Sequence, residues 1–178
     1  GMVAAFDAQA FAPAIRQAVA ADVELVSDAQ ELAGRSCTRL DDLAGEADPS
    51  ALEWARRAVN ADTIAKFLLT SGSTRNPKAV ITTHRMLCSN QIMLLQALPF
   101  LTDEPPVLVD WLPWNHTFGG NHNVGIALYN GGTLYIDDGK PTPKGIAATL
   151  RNLREIAPTI YFNVPKGFEE IARAMDGD

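Results

Sequence analysis

Residues 68–80, reading Leu-Leu-Thr-Ser-Gly-Ser-Thr-Arg-Asn-Pro-Lys-Ala-Val, constrain the fold more than any other stretch of this chain. An apolar run containing Ile64, Phe67, Leu68 and Leu69 enters a turn of hydroxyls around one glycine, and a second apolar run leaves it after Pro77 and Lys78. This pattern predicts strands over Ile64–Thr70 and Ala79–Thr82 with a loop between them. Thr70, Ser71, Ser73 and Thr74 supply hydroxyl donors, Gly72 lets backbone N–H groups approach an anion, and Lys78 adds a mobile positive charge. A polyphosphate needs that combination, because its charge must be met by many directed donors in a site that excludes water. The competing reading is a hydroxyl-rich surface hairpin that binds nothing. The P-loop pattern G-x-x-x-x-G-K-S/T fails at two places: Pro77 stands where its second glycine belongs, and Ala79 where its magnesium-binding hydroxyl belongs. A P-loop nucleotide hydrolase is therefore disfavoured.

Taken in order, Phe11, Ile15, Ala18 and Val19 recur at helical spacing and predict an amphipathic helix over 7–20, followed by a strand over 23–26. Residues 27–49 are polar and read as irregular. Ser50 and Glu53 have capping-box spacing, which predicts a helix over 51–59. Residues 84–98 hold seven residues, Met86, Leu87, Gln91, Met93, Leu94, Leu95 and Leu98, in a run ended by Pro99, and read as a long, mostly buried helix. Apolar runs over 107–111 and 133–136 predict buried strands, with a helix over 119–130 between them. Further elements are expected over 144–157 (helix), 159–162 (strand) and 167–175 (helix). Strands alternating with helices from residue 84 onward argue for an α/β fold, a mainly parallel sheet flanked by helices.

The chain has 178 residues, enough for one domain with its own core. A net charge of -6 and the lack of a basic stripe argue against a nucleic-acid partner. No apolar run reaches bilayer-spanning length, the N-terminus lacks the order of a signal peptide, and two cysteines, Cys37 and Cys88, fit a reduced compartment; together these point to a cytoplasmic protein without a membrane partner.

Residues 110–121, Asp-Trp-Leu-Pro-Trp-Asn-His-Thr-Phe-Gly-Gly-Asn, follow a strand end, where ligands of α/β sheets gather. Trp111, Trp114, Phe118 and His116 would form a flat apolar wall with a polar tip, suited to an aromatic acid. Against that, large aromatics are buried by default, so each tryptophan alone reads as core. His84 and Cys88, four apart, lack the partners a zinc site needs. Asp137-Asp138-Gly139 reads as a solvated turn rather than a magnesium site, and His122 and Asn123 read as facing a loop rather than a ligand. No metal site is assigned. Neither a G-x-S-x-G elbow nor a helix-opening G-x-G-x-x-G occurs, which disfavours a hydrolase and a dinucleotide site.

The loop resembles the phosphate-binding signature of the adenylate-forming (AMP-binding) superfamily, T-S-G-S/T-T-G-x-P-K-G, at seven of ten positions: Thr70, Ser71, Gly72, Ser73, Thr74, Pro77 and Lys78. Arg75 and Ala79 replace its glycines. Leu112, Pro113, His116 and Gly119 line up with the superfamily's L-P-x-x-H-x-x-G segment, and the resemblance extends through residues 83–88 and 158–165. Within the superfamily the aromatic segment is most similar to feruloyl-CoA synthetases, acyl-CoA synthetases that activate hydroxycinnamic acids.

The resemblance implies an ATP-dependent acid–CoA ligase, with ATP, Mg2+ and coenzyme A as cofactor and co-substrates and an aromatic carboxylic acid as substrate. It implies ATP-phosphate binding by Thr70, Ser71, Gly72, Ser73, Thr74 and Lys78, and an acyl pocket at His116, Trp114, Phe118 and Gly119. It further implies that residues 1–178 are a fragment of the large N-terminal domain, with 1–61 as lead-in and 62–178 as phosphate-loop and acyl-site subdomain, and the C-terminal domain absent. The Y-G-x-T-E and T-G-D segments of the family do not occur in these residues, so the fragment alone is expected to be inactive. The alternative is a non-catalytic nucleotide-binding or regulatory remnant of the family. An exposed sheet edge could pair with a second copy as a homo-oligomer. Arg75 either strains a glycine position, at a cost of roughly 1–2 kcal/mol, or adds a cation for the phosphates. Lys78→Ala is expected to weaken ATP binding while leaving the thermal midpoint nearly unchanged, because an exposed lysine beside a loop carries little stability; paired nucleotide titrations and melting curves check this.

Overall fold

Local capping and strand pairing account for most of the elements in the computed structural model, which describes residues 2–43, 48–70 and 77–176. The chain divides into two compact units, Gly1–Val59 and Asn60–Asp178.

In the first unit, β1 (Met2–Ala4) leads into α1 (Ala8–Ala18), whose N-cap Asp7 accepts a hydrogen bond from the Ala10 N–H at 3.0 Å. β2 (Glu24–Ser27) lies parallel to β1, in register Met2↔Glu24 to Ala4↔Val26. The residues expected to be irregular instead form β3 (Glu31–Leu32), β4 (Arg35–Ser36), β5 (Thr38–Arg39) and the short α2 (Leu40–Leu43). β3 and β4 pair as a small antiparallel hairpin, with Ala33 and Gly34 both at positive φ in its turn, and β5 joins β2 in parallel. Elements of two residues are too short to carry a periodic signal. Ala12, Ile15, Leu25 and Leu32 close the core of this unit. α3 (Pro49–Ala58) begins earlier than the capping-box spacing suggested. Asp48 is its cap, accepting from the Ser50 N–H at 2.9 Å, with Pro49 in the first turn, where its fixed φ suits the helix. Glu53 turns to Arg56 and Arg57 instead, each at 2.7 Å.

The second unit opens with β6 (Ile64–Thr70) and β7 (Lys78–Thr83), antiparallel from Ile64↔Thr83 to Thr70↔Lys78, as the hydroxyl-loop pattern predicts. α4 (His84–Ala97) follows directly, with Thr83 as its cap. Arg85, in its first turn, holds Asp62 through two bonds of 2.8 and 2.9 Å, and the guanidinium keeps the exposed Asp62 carboxyl below its ordinary pKa. α4 is less buried than its composition suggests: Leu94 and Leu95 pack on the core, whereas Met86, Ile92 and Met93 are exposed and only Gln91 is fully buried.

A 3-10 turn (Pro99–Thr102) leads to β8 (Val107–Asp110), whose last three residues are buried. The expected helix after it is divided. A π-helical turn, Thr117–Asn123, passes into α5 (Val124–Tyr129). The wide turn requires glycines where the backbone folds against itself: a Cβ on Gly119 would stand 2.6 Å from the Pro113 carbonyl oxygen, and one on Gly120 would overlap the Trp114 carbonyl. β9 (Thr133–Ile136) lies parallel to β8, in register Val107↔Thr133 to Asp110↔Ile136. It is not the buried strand expected, since β8 is its one neighbour among the described residues and Ile136 is 71% exposed.

α6 (Ile146–Ile156) and α7 (Pro165–Asp176) complete the unit. Residues 159–162, expected as a strand, join no sheet, and Thr159 lies at a bend. Thr159 meets β8 at Val107 alone, donating its N–H to the Val107 carbonyl at 3.0 Å while its hydroxyl takes the Val107 N–H at 2.9 Å. A side chain thus occupies a donor that a continuing ladder would need.

Parallel strands with helices between and beside them make this an α/β protein, with the β3–β4 and β6–β7 pairs as its antiparallel elements. Leu101, Leu108, Ile126 and Ala127 form the core of the second unit, and Ile126 is fully enclosed. Ile126→Ala is expected to lower unfolding stability by about 2–5 kcal/mol through lost burial and the cavity left behind, measured by urea unfolding.

Candidate active site

Side chains alternate along β6 and β7, so Lys66, Leu68 and Thr70, paired with Thr82, Val80 and Lys78, form one face of the hairpin. Lys66 Nζ donates to the Gly120 carbonyl at 3.2 Å and ties that face to the π-helical turn. A cavity of about 580 Å3 lies between them. Leu68, Val80 and Thr82 line it from that face of the hairpin and Ile81 from the adjoining row, Met86 and Asn90 from α4, and His116 and Phe118 from the turn and its cap. Its volume falls within the range of small-molecule sites. Thr70 and Lys78 continue the same strand rows to the mouth of the hairpin, where the Thr70 hydroxyl lies 3.4 Å from the Lys78 carbonyl. Ser71, Gly72, Ser73 and Thr74 lie outside the described residues, as does Arg75.

His116 caps the π-helical turn. Its Nδ1 accepts the Phe118 N–H at 3.3 Å, which leaves Nε2 as the nitrogen able to donate. Phe118 meets the His122 ring edge to face at 5.2 Å between centroids and Phe162 at 6.4 Å, while His122 and Phe162 stand 4.6 Å apart. Phe118 and His122 line the cavity and give it an aromatic flank, and Phe162 packs against both rings.

The structure groups the expected acyl-pocket residues differently from the sequence reading. His116 and Phe118 share the cavity. Trp114 is half-exposed and lines a separate hollow of about 230 Å3 with Asp110, Trp111 and Ile136, among others. Gly119 is buried, and its part is the close backbone approach to Pro113. His122 and Asn123, read as facing a loop, belong to the site: His122 lines the cavity, and its Nδ1 lies 2.8 Å from Asn123 Oδ1. Asn123 is buried and donates through Nδ2 to Asp110 Oδ1 at 2.8 Å, and the same oxygen accepts the Leu112 N–H at 3.2 Å. The neighbouring residues His122 and Asn123 were a weak signal in sequence, because only the turn's wide backbone sends one to the cavity and the other to the end of β8.

Asp137 is buried rather than solvated. Its carboxylate accepts from the Gly139 N–H at 2.9 Å, the Thr149 hydroxyl at 2.8 Å and Asn152 Nδ2 at 2.7 Å, so the Asp-Asp-Gly turn is fixed to α6. No group of three or more His, Cys, Asp or Glu side chains able to hold a metal ion occurs among the described residues. His84 and Cys88 line a further hollow of about 440 Å3 on another side of α4. No helix among the described residues is long and apolar enough to cross a membrane.

The family model of the AMP-binding enzyme matches residues 3–178, nearly the whole chain. The chain belongs to the AMP-binding enzyme family. Over 90 residues this AMP-binding family member is 32% identical to the medium-chain fatty acid–acyl carrier protein ligase JamA of Moorena producens (strain JHB), a match covering 49% of the chain and 15% of that protein. Over 116 residues it is 28% identical to the long-chain fatty acid–CoA ligase ACSBG2 of Gallus gallus, covering 61% and 14%. Among solved structures, ATP-bound MatB from Rhodopseudomonas palustris is similar at a TM-score of 0.64 and 26% identity, over 96% of the chain and 31% of MatB. The matches thus span about a seventh of these curated relatives and under a third of the solved structure. The α/β fold matches the N-terminal region of adenylate-forming enzyme structures.

Tyr161 packs edge to face on Phe168 of α7, with its hydroxyl accepting from Asn163 Nδ2 at 3.1 Å. Burial, with the Asp137 and Asp110 carboxylates adding to it, pushes its phenol up to about 12. The folded chain therefore holds the phenolic proton more tightly than the unfolded chain does. That stabilisation is complete below the ordinary tyrosine value near 10 and is lost as pH rises towards about 12. Tyr161→Phe is expected to flatten the alkaline limb of stability, read from thermal midpoints between pH 9 and pH 12.

Proposed function

We propose that this chain supplies the phosphate loop and acyl site of an ATP-dependent acid–CoA ligase, one that joins an aromatic, hydroxycinnamate-like carboxylate to AMP with loss of pyrophosphate and passes the acyl group to coenzyme A. The observation that carries the reading is the shared hairpin face: the strand rows that line the His116–Phe118 cavity run on to Thr70 and Lys78 at the mouth of the hydroxyl loop. Thr70, Ser71, Gly72, Ser73, Thr74 and Lys78 hold the ATP phosphates, and Lys78 offsets their charge. His116 donates through Nε2 to the acid's carboxylate and holds it towards that loop. Phe118 packs on the acid's ring. Holding two anions close together in a water-poor cleft replaces a bimolecular encounter with an oriented one.

The names of the relatives support the reaction class, since one is a fatty acid–CoA ligase and another a fatty acid ligase acting on acyl carrier protein. The aromatic flank of Phe118 and His122, whose rings Phe162 supports, favours a planar acid over a flexible alkyl chain. Residues 62–178 form the working subdomain in this reading, 1–61 lead into it, and a C-terminal domain completes the catalyst. The protein is cytoplasmic, uses magnesium with its ATP and acts on no nucleic acid.

The test is ATP–pyrophosphate exchange driven by ferulate. The protein at its natural length is expected to show exchange that depends on the acid, whereas residues 1–178 alone show none. Exchange with medium-chain fatty acids but not with ferulate would overturn the choice of acid.

A further inference from the structure

We infer that His122 is a specificity residue that offers a hydrogen-bond acceptor, Nε2, to a hydroxyl on the acid, and that Asp110 and Asn123 fix its polarity. The inference rests on the reading that the cavity holds the acid.

The direction of each hydrogen bond along the chain from Asp110 sets the polarity of the His122 ring. Asp110 Oδ1 accepts the Leu112 N–H, a group that can only donate, so this oxygen is an acceptor. Asn123 meets the same oxygen at 2.8 Å and must present its amide NH2 to it. The amide oxygen of Asn123 then faces His122 Nδ1 at 2.8 Å, and an amide oxygen only accepts. The proton of the neutral imidazole is therefore on Nδ1, and Nε2 carries the lone pair. Asp110 is 2% exposed and Asn123 1%, so no water competes to reverse the chain. Nε2 has no partner among the described residues, and the ring lines the cavity.

The neighbouring histidine has the opposite polarity. His116 Nδ1 accepts from the backbone, which leaves Nε2–H to donate. One cavity thus holds a donor suited to a carboxylate and an acceptor suited to a hydroxyl, separated by the Phe118 ring that both flank in sequence. An acid with a hydroxyl remote from its carboxylate satisfies both. A methyl ether or an unsubstituted ring leaves the acceptor unpaired, which a partly buried polar atom tolerates poorly.

The experiment compares the affinities of 4-hydroxycinnamate, 4-methoxycinnamate and cinnamate, measured by calorimetry on the protein at its natural length. The expected result is a preference of about tenfold for the hydroxylated acid, the size of one net hydrogen bond. In His122→Phe, which keeps an aromatic ring and removes the acceptor, the ratio should fall to about one. His122→Gln, which restores an acceptor oxygen, should recover part of it, and Asp110→Asn, which allows the Asn123 amide to reverse, should lower it. An unchanged ratio in His122→Phe, or a wild-type preference for the methyl ether, overturns the proposal while leaving the cavity as the acid site. Failure of all three acids to bind the wild-type protein overturns the reading of the cavity, and this inference with it.

Discussion

The buried carboxylate of Asp110 organises the working end of the second unit. It closes β8 at 2% exposure, and the donors that meet it fall on Oδ1, while Oδ2 has no hydrogen-bond partner among the described residues. One of its oxygens takes the Leu112 N–H and starts the turn towards Pro113, and the same oxygen takes the Asn123 amide from the end of the π-helical turn. The loop leaving the strand and the helix returning over it are thereby held by one atom. His116, Phe118 and His122 all lie on the backbone between these two anchor points, so their relative placement depends on that atom.

The second constraint is steric. Gly119 and Gly120 let the returning backbone lie against the carbonyls of Pro113 and Trp114, closer than any side chain would allow. The result is a π-helical turn in place of ordinary helix, a local feature that recurs at functional sites because it re-aims successive side chains. Here it turns His122 to the cavity and Asn123 to the strand end. Lys66 then reaches the Gly120 carbonyl from the hairpin and joins β6 to the same turn through one bond of 3.2 Å.

Much apolar surface remains outside the cores described. Leu69 is 69% exposed on the hairpin and Trp54 75% on α3, and Ile136 is exposed on β9.

The hairpin, α4, β8 and the helices that follow were legible in the sequence, because period-two and helical repeats, proline stops and the hydroxyl-glycine-lysine loop are all local signals. The family resemblance rested on the same kind of local evidence, in Thr70–Lys78 and in Leu112, Pro113, His116 and Gly119. Only the tertiary structure separated Trp114 from His116, brought His122 to the cavity with Phe162 packed against its ring, and denied residues 159–162 a place in a sheet. Those outcomes depend on atoms from segments dozens of residues apart competing for the same space and the same donors. No periodicity within one segment encodes that competition.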